Sequence, residues 1–376
     1  MAKPKKALVL SGGGGRGAYH VGVLEALVER GWIEDGHGPD IIAGTSIGAI
    51  NAAALASGMT ISELKQHWLS MHTEDVHQLS RDLPAVSRPL VRFLLRSVLT
   101  SAAHGGESMI PPADGLLNTQ GMAERLSSLF RTRPFRSLLD TSPWRHTLAS
   151  WMDFERINSS TAPALLLTAT DLQTGDLRVF CNRSVKGRPA DRIGVEHLMA
   201  SSSIPTVYPW TEIDGSIYWD GAVLANTPLG PVIDLAAGEE IDILVVMMTP
   251  WDADPAEMRQ QLQHMPKDLA QGMTLTLDWA LLASYRAAIK MLRAYNKLAE
   301  AAEKLRRAAA KTGDRSLVLE GNLPRVIPEP TVIAPRELMP LEWIIDYEEQ
   351  NHQHLFALGY QDAIRALDQR MLERTI

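Results

Sequence analysis

The feature that most constrains the fold is a repeated order of short apolar run, glycine-containing turn and helical pattern near the start of the chain. Residues 7–10 are apolar, a cluster of glycines follows, and apolar residues then recur at helical spacing from Ala18. From residue 41 a second apolar run leads through Gly44 into an alanine-rich stretch that stops at Gly58. Such short apolar runs are typical of strands buried on both faces. Two strand–turn–helix units in succession predict a parallel sheet covered by helices.

The rest of the chain extends this pattern. Further strands are predicted at residues 164–169, 177–181, 217–219 and 241–248. Their alternation with helical segments predicts a mostly parallel sheet with helices on both faces, within a single α/β domain of residues 1–376. The other segments are interpreted as a helical and loop insertion that could form a cap or lid (70–153), a helical segment (254–312), an extended segment (320–340) and closing helices (341–376).

The composition is that of an ordinary globular protein and excludes some functions. A net charge of −7 gives no basic footprint for nucleic acid, so no nucleic-acid partner is expected. Cys181 is the only cysteine, which excludes a disulfide within the chain and favours a reducing compartment. The least charged stretch, residues 41–59, is rich in small and polar residues and is interpreted as buried strand, turn and helix. We therefore expect a cytoplasmic protein whose contact with a membrane is at most peripheral.

A glycine-rich loop, residues 11–17, follows the first predicted strand and allows three interpretations. Its G-x-G-x-x-G spacing occurs in dinucleotide-binding proteins, but that use needs an acidic residue after the next strand, where this chain has Gly44, Thr45 and Ser46. An oxyanion hole is the second interpretation, because consecutive N–H groups beside a helix N-terminus bind negative charge. A tight turn without a ligand is the third. The candidate oxyanion residues are Gly12, Gly13, Gly14, Gly15, Arg16 and Gly17.

A nucleophile elbow is predicted at Gly44-Thr45-Ser46-Ile47-Gly48, which matches G-x-S-x-G between a strand and a helix, as this motif requires. The two small glycines let the strand and the helix approach each other closely. The serine hydroxyl would then project at the carboxyl end of the strand, beside a helix N-terminus that stabilises developing negative charge. We interpret Ser46 as a nucleophile, and a structural turn is the alternative.

A serine nucleophile needs a base, and the chain has eleven histidines. The order of an α/β-hydrolase triad would select His352 or His354, but both stand in a strongly polar helical context that predicts a solvated helix face. The other candidate is Asp220, which ends a strand-like run and precedes Gly221 and Ala222. Strand ends are where α/β proteins build their sites, and partial burial raises the pKa of a carboxyl group. A plain Asp-Gly turn is the alternative.

Together these motifs resemble the glycine-rich loop, nucleophile elbow and D-G-A/G motif of patatin-like phospholipases, in that family's order. Residues 200–205, Ala-Ser-Ser-Ser-Ile-Pro, and residues 226–228, Asn-Thr-Pro, are similar to further segments of the family. The resemblance implies a three-layer α/β/α fold, to which the insertion at residues 70–153 would add a helical cap. It also implies that the substrate is a lipid or another acyl ester.

The resemblance further implies the role of each residue. Ser46 would attack the ester carbonyl, Asp220 would accept its proton directly, and N–H groups near Gly13 and Gly14 would hold the oxyanion. Water activated by the same carboxylate would then hydrolyse the acyl-enzyme. Ala222 stands where many members have glycine, a variant that the family allows. A fourth consecutive glycine leaves open which amides face the oxyanion.

Two basic and apolar segments are candidates for contact with an anionic membrane. Between residues 281 and 302 apolar residues recur at helical spacing, and arginines and lysines occupy the opposite face as far as Lys311. Such a helix can lie on a bilayer, although we favour a surface helix packed on the core. Residues 88–96 are predicted to form a buried cap helix, with a lipid-contacting lid as the alternative.

Two other functions fit parts of the sequence. An acyltransferase would keep Ser46 and use a histidine as base, but no histidine is convincingly placed. A nucleotide-binding regulatory module would use residues 12–17, but it lacks the acidic partner. No cofactor and no metal are expected. The sequence therefore predicts a serine lipid acyl hydrolase that works through a dyad of Ser46 and Asp220.

Overall fold

The structure is a computed structural model that describes residues 3–81, 83, 88, 136–185, 187–236, 239–251, 269–312 and 325–375. Most of the predicted insertion at residues 70–153 lies outside the described residues. The same is true of the basic segment 88–96, apart from its first residue, and of the first part of the predicted helical segment 254–312.

Strands and helices alternate along most of the described chain. The strands are β1 Lys5–Leu10, β2 Ile41–Thr45, β3 Gln78–Leu79, β4 Leu139–Asp140, β5 Ala164–Asp171, β6 Leu177–Cys181, β7 Thr211–Ile213, β8 Ser216–Asp220, β9 Ile241–Val246 and β10 Thr331–Ile333. The helices are α1 Ala18–Glu29, α2 Ile47–Ala56, α3 Ile61–Ser70, α4 Thr73–Val76, α5 Ser142–Trp151, α6 Phe154–Ile157, α7 Val195–Ser201, α8 Ala222–Ala225, α9 Leu229–Leu235, α10 Leu269–Thr312 and α11 Glu349–Thr375, with 3₁₀ helices at Gly14–Gly17 and Leu341–Ile344.

The central sheet has eight strands in the order β10, β9, β1, β2, β5, β8, β7, and β6 also pairs with β5. The pairings from β10 to β5 are parallel. Antiparallel pairings in this sheet are confined to β6, β7 and β8, at one end of it. The prediction of a mostly parallel sheet is therefore confirmed.

Helices cover both faces of this sheet, because its strands carry apolar side chains on both sides. In β1, Leu8 and Leu10 face a core that also contains residues of α1, α2 and α11. Ala7 and Val9 face a second core, to which α9 and α10 contribute. A strand buried on both faces is a continuous apolar run in the sequence, which explains why this layer was predictable. The predicted three-layer α/β/α arrangement is confirmed.

Every strand predicted in the sequence is present, with shifts of up to two residues at its ends. The short strands β7 and β10 were not predicted, because three-residue strands have too few positions to show a periodicity. The apolar face predicted for residues 281–302 belongs to α10, and Tyr285, Ile289 and Leu292 are buried in the second core. The favoured interpretation, a helix packed on the core, is confirmed for that face.

Candidate active site

The turn between β2 and α2 has the geometry of a nucleophile elbow. Ser46 lies between the last residue of the strand and the first residue of the helix, at φ 56° and ψ −126°, a conformation that non-glycine residues rarely adopt. Gly48 allows this turn to be tight, because a Cβ there would lie 2.6 Å from the carbonyl oxygen of Ser11. A Cβ on Gly44 would in turn collide with the backbone of Gly48.

Ser201, the last residue of α7, holds the backbone of this turn. The Ser46 N–H donates a hydrogen bond of 3.0 Å to the Ser201 hydroxyl, and both residues are buried. The sequence placed Ser201 within a segment similar to the family but gave it no role. No sequence pattern could have supplied that role, because the two residues are 155 positions apart.

Replacing Ser201 with alanine is expected to lower kcat about ten- to hundredfold with little change in KM. The substitution leaves the buried Ser46 N–H without an acceptor. Ser46 is the predicted nucleophile, and a nucleophile displaced by a fraction of an ångström loses much of its reactivity. The measurement is steady-state hydrolysis of a short-chain ester. Ser202→Ala is the matched control, because that neighbouring hydroxyl donates instead to the Leu198 carbonyl oxygen. Equal losses in the two variants would contradict a positioning role for Ser201.

Asp220 ends β8 and is almost completely buried, with 2% of its surface exposed. Its carboxylate interacts with the Ser46 side chain and accepts a hydrogen bond of 2.8 Å from the Ala222 N–H. Burial raises the pKa of Asp220 to about 7, and these two interactions act in the opposite direction. A carboxyl group with this pKa can accept a proton near neutral pH.

The register of β5 explains how residues so distant in the chain meet. β2 pairs with β5 as far as Thr45 opposite Thr168, and β8 pairs with β5 from Asp220 opposite Ala169. β6 pairs with residues of β5 from both of these stretches, so it must occupy the opposite edge of β5. β2 and β8 therefore share one edge of β5 and meet end to end, which brings the elbow beside Asp220.

The glycine loop lies against the elbow, and its amides differ in their partners. The Gly12 N–H donates to the Asn226 carbonyl oxygen at 3.1 Å, and the Arg16 N–H donates to the Gly13 carbonyl oxygen at 3.3 Å. No described residue accepts a hydrogen bond from the N–H groups of Gly13, Gly14 or Gly15. Of the six candidate oxyanion residues, these three therefore offer unpaired amides.

Glycines of the loop also have packing roles. Gly14 has φ 59° and lies against the backbone of Ile344, where a side chain has no room. Gly15 and Gly17 lie within the 3₁₀ helix Gly14–Gly17, which leads directly into α1. The loop is thus held between the elbow on one side and the C-terminal segment on the other.

The Arg16 side chain is directed away from the elbow. It is 1% exposed and forms an ion pair of 2.9 Å with Asp278 of α10. Its other nitrogens donate to the carbonyl oxygens of Met339 and Pro340. The guanidinium group therefore fastens the loop to α10 and to the segment before Leu341–Ile344, and its hydrogen-bonding capacity is largely used there.

Two tyrosines that the sequence did not indicate lie near Asp220. Tyr208 and Tyr347 hydrogen-bond to each other, and His77 accepts or donates a 2.9 Å hydrogen bond with the Tyr208 hydroxyl. Burial is the largest cause of the raised pKa of each phenol, and the charge of Asp220 raises both further. Their wide separation in the chain left no signal for sequence reasoning.

The prediction of a solvated helix face is wrong for His352. Its ring is buried, and Nδ1 lies 2.7 Å from the Trp68 carbonyl oxygen, because α11 packs this side of the helix against α3. Burial lowers the pKa of His352 to about 4. His354, by contrast, is exposed, as predicted. Within the described chain, no histidine forms a hydrogen bond with Ser46.

The patatin-like phospholipase family model matches residues 8–233 of the chain. That stretch contains the glycine loop, the elbow and Asp220, and it covers more than half of the sequence. The chain belongs to the patatin-like phospholipase family. This match confirms the family that the resemblance indicated, and the matched segment contains the three motifs in the expected order.

Curated relatives of this patatin-like chain include uncharacterized NTE family proteins. One from Mycobacterium bovis is 28% identical over 256 residues, which cover 68% of this chain and 52% of the relative. One from Mycobacterium tuberculosis matches to the same extent. The chain therefore spans about half the length of the curated relatives that it matches.

Solved structures similar to this patatin-like chain have low sequence identity. VipD from Legionella pneumophila superposes with a TM-score of 0.41 at 16% identity, covering 98% of this chain and 67% of that one. Human GIVD cytosolic phospholipase A2, in complex with methyl gamma-linolenyl fluorophosphonate, gives a TM-score of 0.35 at 12% identity, covering 98% and 60%.

The described residues contain neither a metal-binding cluster nor a membrane-spanning helix. They contain no group of three or more histidine, cysteine, aspartate or glutamate side chains that could hold a metal ion. No helix in the same part of the chain combines the length and apolarity needed to cross a bilayer.

Proposed function

We propose that the protein is a serine lipid acyl hydrolase that cleaves carboxylic esters through a dyad of Ser46 and Asp220. The observation that carries this proposal is the interaction of the Ser46 side chain with a buried carboxylate whose pKa is raised to about 7. Membership of the patatin-like phospholipase family supports a lipid ester as the substrate. Phospholipase A and lysophospholipase reactions both belong to this class.

The first half of the proposed reaction forms an acyl-enzyme. As the Ser46 Oγ attacks the ester carbonyl carbon, its proton passes to the Asp220 carboxylate. The unpaired N–H groups of Gly13 and Gly14 hold the oxyanion, and losing one such donor typically costs about 10²–10³ in rate. Protonated Asp220 then gives the proton to the leaving alcohol, and the acyl group remains on the serine oxygen.

The second half releases the fatty acid. Asp220, again ionised, accepts a proton from water as the water oxygen attacks the acyl carbonyl carbon. The collapse of the second tetrahedral intermediate returns the proton to Ser46 and frees the acid. One carboxylate therefore acts as base and as acid in both halves, a task for which a pKa near the working pH is well suited.

We also propose that this hydrolysis takes place in the cytoplasm, at the surface of an anionic membrane. Long-chain lipid esters are held in bilayers, so an enzyme of this class needs a way to approach one.

The rate at which a fluorophosphonate probe labels Ser46 is expected to rise with pH through about 7 and then level off. The labelling rate rises with pH because only ionised Asp220 can accept the serine proton, and the pKa of Asp220 is about 7. The measurement is the pseudo-first-order labelling rate between pH 5 and pH 9 in roughly unit steps, with mass spectrometry to locate the adduct.

Histidine variants provide the control for this experiment. His77→Gln and His352→Gln remove buried imidazoles that do not contact Ser46, and both are expected to keep the labelling profile. If one of them lost labelling while Asp220→Asn kept it, the dyad would be wrong. Product analysis with an added alcohol would reveal an acyltransferase, since the acyl group would then appear on the alcohol.

A further inference from the structure

The long helix α10 carries a second apolar face that the core does not cover. Five large apolar side chains along it are exposed, namely Met273 (52%), Leu277 (36%), Met291 (73%), Leu298 (68%) and Leu305 (43%). The last four are separated by multiples of seven residues, so they lie along one side of the helix. At about 1.5 Å per residue, this stripe is roughly 48 Å long. We call these five residues the docking face.

A row of lysines follows one edge of the docking face. Lys290, Lys297 and Lys304 each precede one of its last three residues, and all three are exposed. None of them forms an ion pair with another described residue, whereas Arg293 of the same helix is paired with Glu329. The row therefore presents unpaired positive charge beside exposed apolar side chains.

The docking face begins beside the candidate active site. α8 follows directly after Asp220 and Gly221, and its Val223 and Leu224 are 53% and 39% exposed. α8 packs against α10. Asp278, the neighbour of Leu277, forms the ion pair with Arg16 of the glycine loop. Exposed apolar residues thus continue from the segment that follows the proposed base onto the helix.

We propose that the docking face and its lysine row bind the surface of an anionic lipid bilayer and thereby place the active site against membrane-held substrate. The apolar side chains would enter the boundary between headgroups and acyl chains, and the lysines would contact lipid phosphates. This inference rests on the proposed function, because it names the surface on which that hydrolysis takes place. Its apolar residues differ from those of the apolar face predicted in the sequence, which is buried in the second core, whereas its lysines belong to the basic face predicted there.

A second copy of the chain is the main alternative occupant, since apolar residues seven apart also form coiled coils. The charges disfavour it. In an antiparallel pair the lysine rows would face each other, and in a parallel pair each row would face the edge that contains Tyr295, Ala302 and Ala309. Neither arrangement offers a carboxylate to the lysines, whereas a bilayer that contains anionic lipid offers one negative charge per anionic headgroup.

The test measures binding of Ser46→Ala protein, which does not consume the lipid, to sedimented vesicles. The vesicles contain phosphatidylcholine alone or phosphatidylcholine with phosphatidylserine. A triple charge reversal, Lys290→Glu, Lys297→Glu and Lys304→Glu, is expected to weaken binding to the phosphatidylserine vesicles by at least about 100-fold, because each lysine contributes roughly fivefold. A triple apolar replacement, Met291→Gln, Leu298→Gln and Leu305→Gln, is expected to weaken it comparably.

The matched control reverses the same number of charges elsewhere, with Lys3→Glu, Arg188→Glu and Arg192→Glu, all at exposed positions on other elements. This variant is expected to keep most of its binding. Thermal melting curves show whether each variant is folded. Unchanged binding in both α10 triples would overturn the proposal, and so would a dimer that dissociates in the apolar triple while vesicle binding stays the same.

A second readout separates this inference from the proposed function. In the Ser46-containing background, both α10 triples are expected to hydrolyse a water-soluble short-chain ester at the parent rate and to lose activity only on vesicles. Loss of vesicle binding in a protein that never hydrolyses the soluble ester would support the docking face and count against the hydrolase. Full activity of both triples on vesicles would support the hydrolase and count against the docking face.

Discussion

Replacing Asp220 with asparagine is expected to lower kcat/KM for a short-chain ester by at least about 10⁴-fold. The amide has nearly the same shape and can still accept the hydrogen bond from the Ala222 N–H, but it cannot take the proton of Ser46. The measurement is initial hydrolysis rates across the pH range, with fluorophosphonate labelling as an independent readout of the nucleophile. Asp176→Asn, at an exposed position, is the matched control and is expected to retain the parent activity.

The same substitution is expected to stabilise the protein above neutral pH. Asp220 has a folded pKa of about 7, against about 3.9 in an unfolded chain. Between these values the unfolded chain has released the proton and the folded protein still holds it, so the parent loses stability as the pH rises from about 4 to about 7. The total loss is up to about 4 kcal/mol, and the asparagine variant avoids it.

Urea unfolding of parent and variant at a series of pH values measures this difference. The free energy of unfolding of Asp220→Asn, relative to the parent, should grow from pH 4 to pH 7 and stay constant above. A difference that is independent of pH, or that shrinks as the pH rises, would contradict the raised pKa. The loss of activity in Asp220→Asn would then need an explanation other than the removal of a buried base.

Replacing Ser46 with alanine is expected to reduce ester hydrolysis by about 10⁶-fold and to abolish fluorophosphonate labelling. No other hydroxyl in the described site combines an interaction with the Asp220 carboxylate with an elbow conformation. The substitution keeps the Cβ and the backbone N–H that donates to Ser201. Residual hydrolysis within tenfold of the parent would show that the serine is not the nucleophile.

Comparison of Ser46→Ala with Ser46→Gly tests the strain of the elbow separately from the chemistry. Both variants lose the nucleophile, but glycine adopts φ 56° without the steric cost that a Cβ imposes. Ser46→Gly is therefore expected to be more stable than Ser46→Ala by about 1 kcal/mol. The free energies of unfolding in urea at one pH measure this, and a less stable glycine variant would argue against a strained turn.

Some parts of the site were predictable because they depend on local patterns. The apolar run before Ser46, the glycines on either side of it and the alanine-rich helix after it lie within about 15 consecutive residues. Such a segment determines its own strand, turn and helix. Asp220 was predictable for the same reason, as a carboxylate at the end of a short strand. The family resemblance then placed the two motifs in one site.

Other parts depend on contacts that no local pattern encodes. His352 stands in a polar stretch, yet α11 turns that side of the helix toward α3, and its ring is buried. Arg16 lies within the glycine loop, yet its side chain pairs with Asp278, 262 residues away. Ser201 acquires its role only because α7 ends beside the elbow. Burial and pairing of this kind follow from how whole elements pack.

The sequence by itself determined the layers of the fold, the conformation of the elbow and the identity of the nucleophile and base candidates. Only the tertiary structure decided that β2 and β8 meet on one edge of β5, which amides of the glycine loop remain unpaired, and which face of α10 stays exposed. The physical reason is that backbone conformation and periodicity depend on neighbouring residues, whereas strand register, burial and pKa depend on residues that are distant in the chain.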